Sequence, residues 1–224
     1  MRPPEHPASS KPSRRYATPK RDQRAAATRA KILDAAKTLF LRDGYVRTSM
    51  RSIADLAGVS EKTMYLTYAT KATLLRQMIQ LSVRGDEAET PLAERSEWRE
   101  LVAGPVEEVF ARFSAQNAIL MTRTAALTAL GEAAAATDPE LAEYRDRAHA
   151  ETRANLHALT AELHRRGALN PNITEQDAAD TIYAVATDES VFLRLTRECG
   201  WTPTAYADLI TRTLNATLGT TPRP

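Results

Sequence analysis

The chain has one cysteine, Cys199, among its 224 residues. It therefore has neither an internal disulfide nor a thiolate metal cluster available, which fits a reducing cytoplasm. Long hydrophobic runs are also missing. No uncharged stretch exceeds the ten residues from Phe113 to Thr122, short of the roughly 20 that a membrane-spanning helix needs. The N-terminus carries prolines and charges where a secretory signal would have an apolar core. The eight glycines are scattered and form neither a P-loop nor GxGxxG, and GxSxG and HExxH are absent as well. No catalytic machinery is recognisable, and no cofactor or metal is expected. His149, His157 and His164 fall loosely on one helix face, but eight residues of helix span about 12 Å, too far for one ion. Sustained period-2 alternation is missing too, so an all-α protein is expected.

What is present is distributed unevenly. The net charge of +2 conceals two opposite halves. Residues 1–80 hold 16 Lys or Arg against 6 Asp or Glu, whereas residues 81–224 hold 14 against 22. All six lysines lie at or before Lys71. A basic head on an acidic body is what a DNA reader with a separate non-DNA domain should show. Residues 1–24, proline-rich with seven basic and two acidic side chains, bury too little to fold and are expected to form a disordered arm. Two readings of that arm stand: contact with DNA, or a solvated tail.

The most informative stretch runs from Thr48 to Leu75. Ser49 or Thr48 caps a helix whose apolar residues Ile53, Leu56 and Ala57 share a face. Gly58 ends it where positive φ is wanted, Val59 plugs the turn, and Ser60 caps a second helix from about Glu61 to Tyr68. Helix, glycine turn and capped short helix is a helix-turn-helix pattern, whose second helix enters the DNA major groove.

Around it, Thr28 to Tyr45 reads as an amphipathic helix through Ile32, Ala35, Ala36, Leu39 and Phe40, starting there or a turn or two earlier. Thr70 caps another helix carrying Leu74, Leu75, Met78 and Leu81. Charged and small residues to about Pro91 suggest a linker, followed by a short helix from Leu92 to about Ala103. Gly104-Pro105 then starts a helix bearing Phe110, Phe113, Asn117 and Met121 on one stripe. Thr124 to Ala136 continues it, with or without a break. Asp138 caps a long helix to about Arg166, Thr174 caps one from Glu175 to about Glu198, and Pro203 to Leu218 makes the last.

These residues resemble the tetracycline-repressor (TetR) family of bacterial transcription regulators. The resemblance covers about Thr28 to Leu75. It rests on Ile32, Ala36, Phe40 and Gly44, on Ile53-Ala54, and on Ala57-Gly58-Val59-Ser60. Thr63 with Tyr65, and Lys71 with Leu74-Leu75, complete it. It implies a disordered arm over 1–24 and a DNA-binding head over 25–71, with the motif at about 49–68. An effector-binding and dimerisation body would follow over 72–218, and a flexible tail over 219–224.

The DNA-facing set implied by the resemblance is Thr48, Ser49, Arg51, Glu61, Lys62, Thr63, Tyr65, Thr67 and Lys71. Tyr65 and Lys71 match phosphate-contacting positions, and Arg51 matches one that reaches a guanine edge. Glu61, Lys62 and Thr63 occupy the first turn of the recognition helix. Glu61 either accepts from a cytosine amine or serves the helix dipole. Leu66 and Thr67 depart from the aromatic or basic residue and the histidine common in the family, and Tyr68 replaces a frequent Phe.

In the body, Asn117 interrupts an aromatic stripe, and Asp188-Glu189 interrupts the apolar run from Ile182 to Leu193. Buried acids need partners, so these mark a cavity or a subunit interface, and the stripe is either pocket wall or plain core. The expected ligand-binding residues are Phe110, Phe113, Asn117, Met121, Tyr144, Tyr183 and Thr187. Cys199 reads as a packed thiol or a redox sensor. The expected partners are double-stranded DNA bearing a palindromic operator and an unidentified small-molecule effector. A second copy of the chain would pair through helices at about 175–198 and 203–218, the last amphipathic through Leu209, Ile210, Leu214 and Leu218. The expected function is a ligand-released repressor. The alternatives are an effector-independent or architectural DNA-binding protein, and a helical adaptor with a basic head.

Overall fold

The computed structural model describes residues 19–85, 100–101 and 103–220. Most of the expected 1–24 arm, the linker after Gly85 and most of the 92–103 helix lie outside them. The described residues form nine α-helices and no strand. They are α1 (Pro19–Asp43), α2 (Met50–Ala57), α3 (Glu61–Thr67), α4 (Lys71–Arg84), α5 (Val109–Ala135), α6 (Pro139–Arg165), α7 (Glu175–Ala186), α8 (Glu189–Leu193) and α9 (Pro203–Leu218). A 3₁₀ turn (Val106–Glu108) leads into α5, and a π turn (Arg194–Glu198) follows α8. No helix among the described residues is long and apolar enough to cross a membrane.

Caps set most boundaries. The Ser49 hydroxyl accepts from the Ser52 N–H at 3.0 Å, while the Ser52 hydroxyl accepts from the Ser49 N–H at 3.1 Å. This reciprocal pair satisfies two donors that the first turn of α2 would otherwise leave open. Gly58 closes α2 at φ 65°, a left-handed conformation that costs glycine nothing. The side chains of Ser60, Thr70, Asp138, Thr174 and Thr202 accept from backbone N–H groups in the first turns of α3, α4, α6, α7 and α9.

Three expectations are corrected. First, α1 begins at Pro19, so residues 19–24 belong to a helix, not to an arm. Second, 175–198 is not one helix. The chain breaks at Thr187-Asp188, because the Asp188 carboxylate turns back to accept from the N–H groups of Ser190 and Val191, starting α8 afresh. Third, the tail is anchored at its start. Gly219 bridges Leu169, and the Asn170 N–H donates to Leu218 O at 2.9 Å. Between Val109 and Ala135, α5 runs without a break.

Two apolar cores share α5 as a spine. The head core holds Ile32, Phe40, Ile53, Met64, Tyr68, Leu74, Leu75 and Met78, and extends into the body through Leu127, Ala134, Ala135 and Leu141. A head ending at residue 71 therefore stops short of its own core. The body core holds Val109, Phe110, Phe113, Leu159, Ile182, Phe192, Tyr206, Ile210, Leu214 and Leu218. Gly131 lets α4 approach α5, since a Cβ there would stand 2.8 Å from Ile79 Cδ1.

Candidate nucleic-acid interface and ligand cavity

The outer face of the head is built by α3 and the start of α2. Met64 and Tyr68 point inward, with Met64 fully buried, and this fixes which side of α3 looks out. Glu61, Lys62, Tyr65 and Leu66 are exposed, Leu66 to 79%. Arg51 on α2 reaches across the turn to Glu61, Nε to Oε1 3.5 Å. Glu61 thus has a partner beyond the two weighed from the sequence. The Thr63 hydroxyl lies 2.8 Å from that of Ser60, and the Thr67 hydroxyl donates to Thr63 O.

Two residues of the DNA-facing set have inward commitments. Thr48 is buried, and its hydroxyl donates to Gly44 O at 2.8 Å, so its side chain ties the end of α1 to the start of α2. The Lys71 ammonium donates to Tyr45 O at 2.8 Å and Thr48 O at 2.9 Å, over the Tyr45 ring. Burial holds this amine below the ordinary lysine range, and Asp138 acts the other way. Two of its three N–H donors are thereby used.

The same corner joins head to body. The Tyr45 hydroxyl donates to Asp138 Oδ2 at 2.6 Å. Burial first, then the hydrogen bond to that carboxylate, push the phenol well above its usual range. The Thr70 and Thr73 hydroxyls donate to the two oxygens of Glu140 at 3.1 and 3.0 Å. Asp138 and Glu140 open α6, so the N-terminus of α6 is fastened to the head at three side chains.

Farther along α6, a cavity of about 510 Å³ opens between α4, α5, α6 and the α7–α8 break. That volume is typical of a small-molecule site. Asn117, Met121, Tyr144, Tyr183 and Thr187, all named from the sequence, line it. Phe110 and Phe113 do not, and this is a correction. Both lie near the start of α5, where α9 and the body core cover the same stripe, and they are 4% and 8% exposed. Sequence reasoning missed Glu132, Arg145, Ala148 and His149 as lining residues, although the i, i+4 spacing of Tyr144, Ala148 and Thr152 places them on one face.

Asn117 also has a structural task. Its amide donates to Ala186 O at 2.9 Å, the carbonyl freed where α7 ends, and the Tyr206 hydroxyl lies 3.4 Å from the same oxygen. Burial raises the Tyr206 phenol to about 12. His149 Nε2 lies 2.9 Å from Glu132 Oε1. Burial raises the Glu189 carboxyl, with Glu132 and Asp188 adding to the rise and His149 opposing it. Cys199 is exposed, not packed.

Residues 32–78 match the family model described as bacterial regulatory proteins, tetR family. The HTH-type transcriptional regulator TtgR of Pseudomonas putida is 37% identical over 57 residues, 25% of this chain and 27% of that protein. The matched segment thus spans about a quarter of that relative's length. Two solved structures share the fold over nearly their whole chains. NalD, the secondary repressor of the MexAB-OprM multidrug efflux pump in Pseudomonas aeruginosa, superposes with TM-score 0.68 at 21% identity, over 88% of this chain and 98% of its own. A transcriptional regulator from Saccharomonospora viridis, in complex with choline, gives 0.66 at 15%, over 88% and 100%.

Proposed function

From the match of residues 32–78 to the tetR family of bacterial regulatory proteins, we propose that the chain is a member of that family, a sequence-specific DNA-binding transcriptional regulator and not an enzyme. In this reading it represses from a palindromic operator in the cytoplasm and is released by a small molecule. The observation that carries it is the outward face of α3, where Lys62, Tyr65 and Leu66 stand clear of a packed helix-turn-helix. Seven residues of helix span roughly 10 Å, which fits a major groove about 12 Å wide.

Arg51, Lys62 and Thr63 are assigned to base edges, and Ser49, Tyr65, Thr67 and the third Lys71 donor to phosphates. Glu61 exchanges Arg51 for a cytosine amine. Thr48 acts through its backbone and its tie to α1. Residues 1–18 carry four basic side chains against one acidic.

Two heads on a palindrome require a dimer. The interface we propose uses the outer faces of α7, α8 and α9. Ile210, Leu214 and Leu218 cannot be its core, because they are 0–1% exposed and pack onto α5 within one chain. Half-buried Leu209 on α9, which does not belong to that core, remains outward. The cavity is the effector site in this reading, and its neighbourhood suits release. A ligand touching α6 acts on the helix whose first turn holds Tyr45, Thr70 and Thr73 of the head. To shift operator binding, it must bind the two head positions with different affinity.

The decisive experiment is selection of random duplex DNA by the purified full chain. We expect enrichment of a palindrome whose half-sites lie about one helical turn apart or slightly more. No enrichment, or enrichment of a single undivided site, rejects the reading.

A further inference from the structure

The cavity is short of positive charge. Its lining carries three carboxylates, Glu132, Asp188 and Glu189, and two basic groups, Arg145 and His149. Asp188 is committed to capping α8. Arg145 donates through Nε and Nη2 to the exposed Asp146 at 2.9 and 2.8 Å, so its hydrogen bonds go outward while Glu132 feels part of its charge. That leaves Glu132 and Glu189 facing His149. Tyr183 stands beside them, with His149 at its ring edge at a centroid distance of 6.2 Å and Arg153 over its face at 5.7 Å. Tyr144 lines the same space from α6.

From this arrangement we propose that the cavity selects an organic cation, its charge seated between Glu132 and Glu189 against the ring of Tyr144. The proposal rests on the cavity being the effector site and adds the chemical class of the effector. Two partly desolvated carboxylates and an aromatic ring stabilise a weakly hydrated ammonium better than a neutral group, and repel an anion. The raised Glu189 carboxyl is the cost of this arrangement in the empty chain. A ligand cation relieves it by placing positive charge beside the two carboxylates. The cavity is far larger than an inorganic ion requires, so the cation carries apolar bulk against Met121, Leu120 and Val83.

The test is calorimetric titration of the DNA-free full chain with three probes of similar size: benzyltrimethylammonium, 3-phenylpropan-1-ol and 3-phenylpropanoate. We expect the ammonium to bind at least tenfold more tightly than the alcohol, and the carboxylate to bind worst. In Glu132→Gln/Glu189→Gln, the ammonium should lose tenfold or more while the alcohol is unchanged. Unchanged alcohol binding also certifies that the variant is folded. Equal or tighter binding of the alcohol or carboxylate overturns the charge selection and leaves the cavity standing as a ligand site. Full retention of ammonium affinity by the double variant places the charge elsewhere and overturns the assignment. Binding of none of the three overturns it as well. The DNA-reading role is judged separately by duplex selection, which uses no ligand.

Discussion

The Lys71 ammonium lies 4.2 Å from the centre of the Tyr45 ring and 2.8 Å from the Tyr45 carbonyl oxygen. One side chain at the start of α4 therefore holds the loop that delivers α2 to the DNA face, while Tyr45 itself holds α6. Lys71→Ala should lower unfolding free energy by about 2 kcal/mol, the scale of losing hydrogen bonds from a charged donor. It should also weaken binding to all DNA sequences alike, with the salt slope of log K reduced by roughly 0.9 for the lost phosphate charge. Urea unfolding and a salt titration on specific and unrelated duplexes measure both. Altered sequence preference at intact affinity would show that the residue reads bases.

Arg51→Ala and Lys62→Ala should behave in the opposite way. The Arg51–Glu61 pair is exposed, with side-chain exposures of 77% and 53%, and such pairs contribute about 0–1 kcal/mol. Melting should scarcely move. Preference should relax at individual operator positions by about 1–3 kcal/mol per lost bidentate contact. Repeating the duplex selection with each variant reads this directly, and an unchanged consensus removes the residue from the base-reading set.

On α9, two leucines five residues apart should respond differently to charge. Leu209→Glu, on the outward side, should give a folded monomer with poor operator affinity. Leu214→Glu, at 0% exposure, should unfold the body, since burying an unpaired charge costs several kcal/mol. Light scattering together with circular dichroism separates the outcomes. A dimeric Leu209→Glu with full operator affinity would move the interface off α9.

Tyr68 is buried, and among the described residues no group accepts its hydroxyl. Burial raises this phenol, with Arg29 opposing. Tyr68→Phe should be neutral or stabilising by up to about 1 kcal/mol, a rise of roughly 2–4 °C in Tm for a chain of this size. A fall of several degrees in a melting scan would reveal a partner for the hydroxyl.

Helix starts were legible because single residues decide them: Ser49, Ser60, Thr70, Asp138 and Thr174 each cap a helix, as read from the sequence. The α7–α8 break was not. Asp188 in an apolar run reads equally well as a buried acid or a cap, and only the turned backbone distinguishes them. The stripe of Phe110, Phe113, Asn117 and Met121 was legible as one face. What covers that face changes along a 27-residue helix, and helical periodicity carries no information on this. Lys71 shows the same limit, since its partners Tyr45 and Thr48 come from a loop more than twenty residues earlier.

The family match ends at residue 78, but the core to which Met78 belongs runs on through Leu127, Ala134, Ala135 and Leu141. A graft joining this head to a foreign body at that seam would leave an apolar socket with no plug. Working chimaeras must carry the matching stretch of α5 and the first turn of α6 with the head. In such a chain the proposed DNA reader is inherited with part of the proposed ligand-binding body, and the two cannot be exchanged as independent modules.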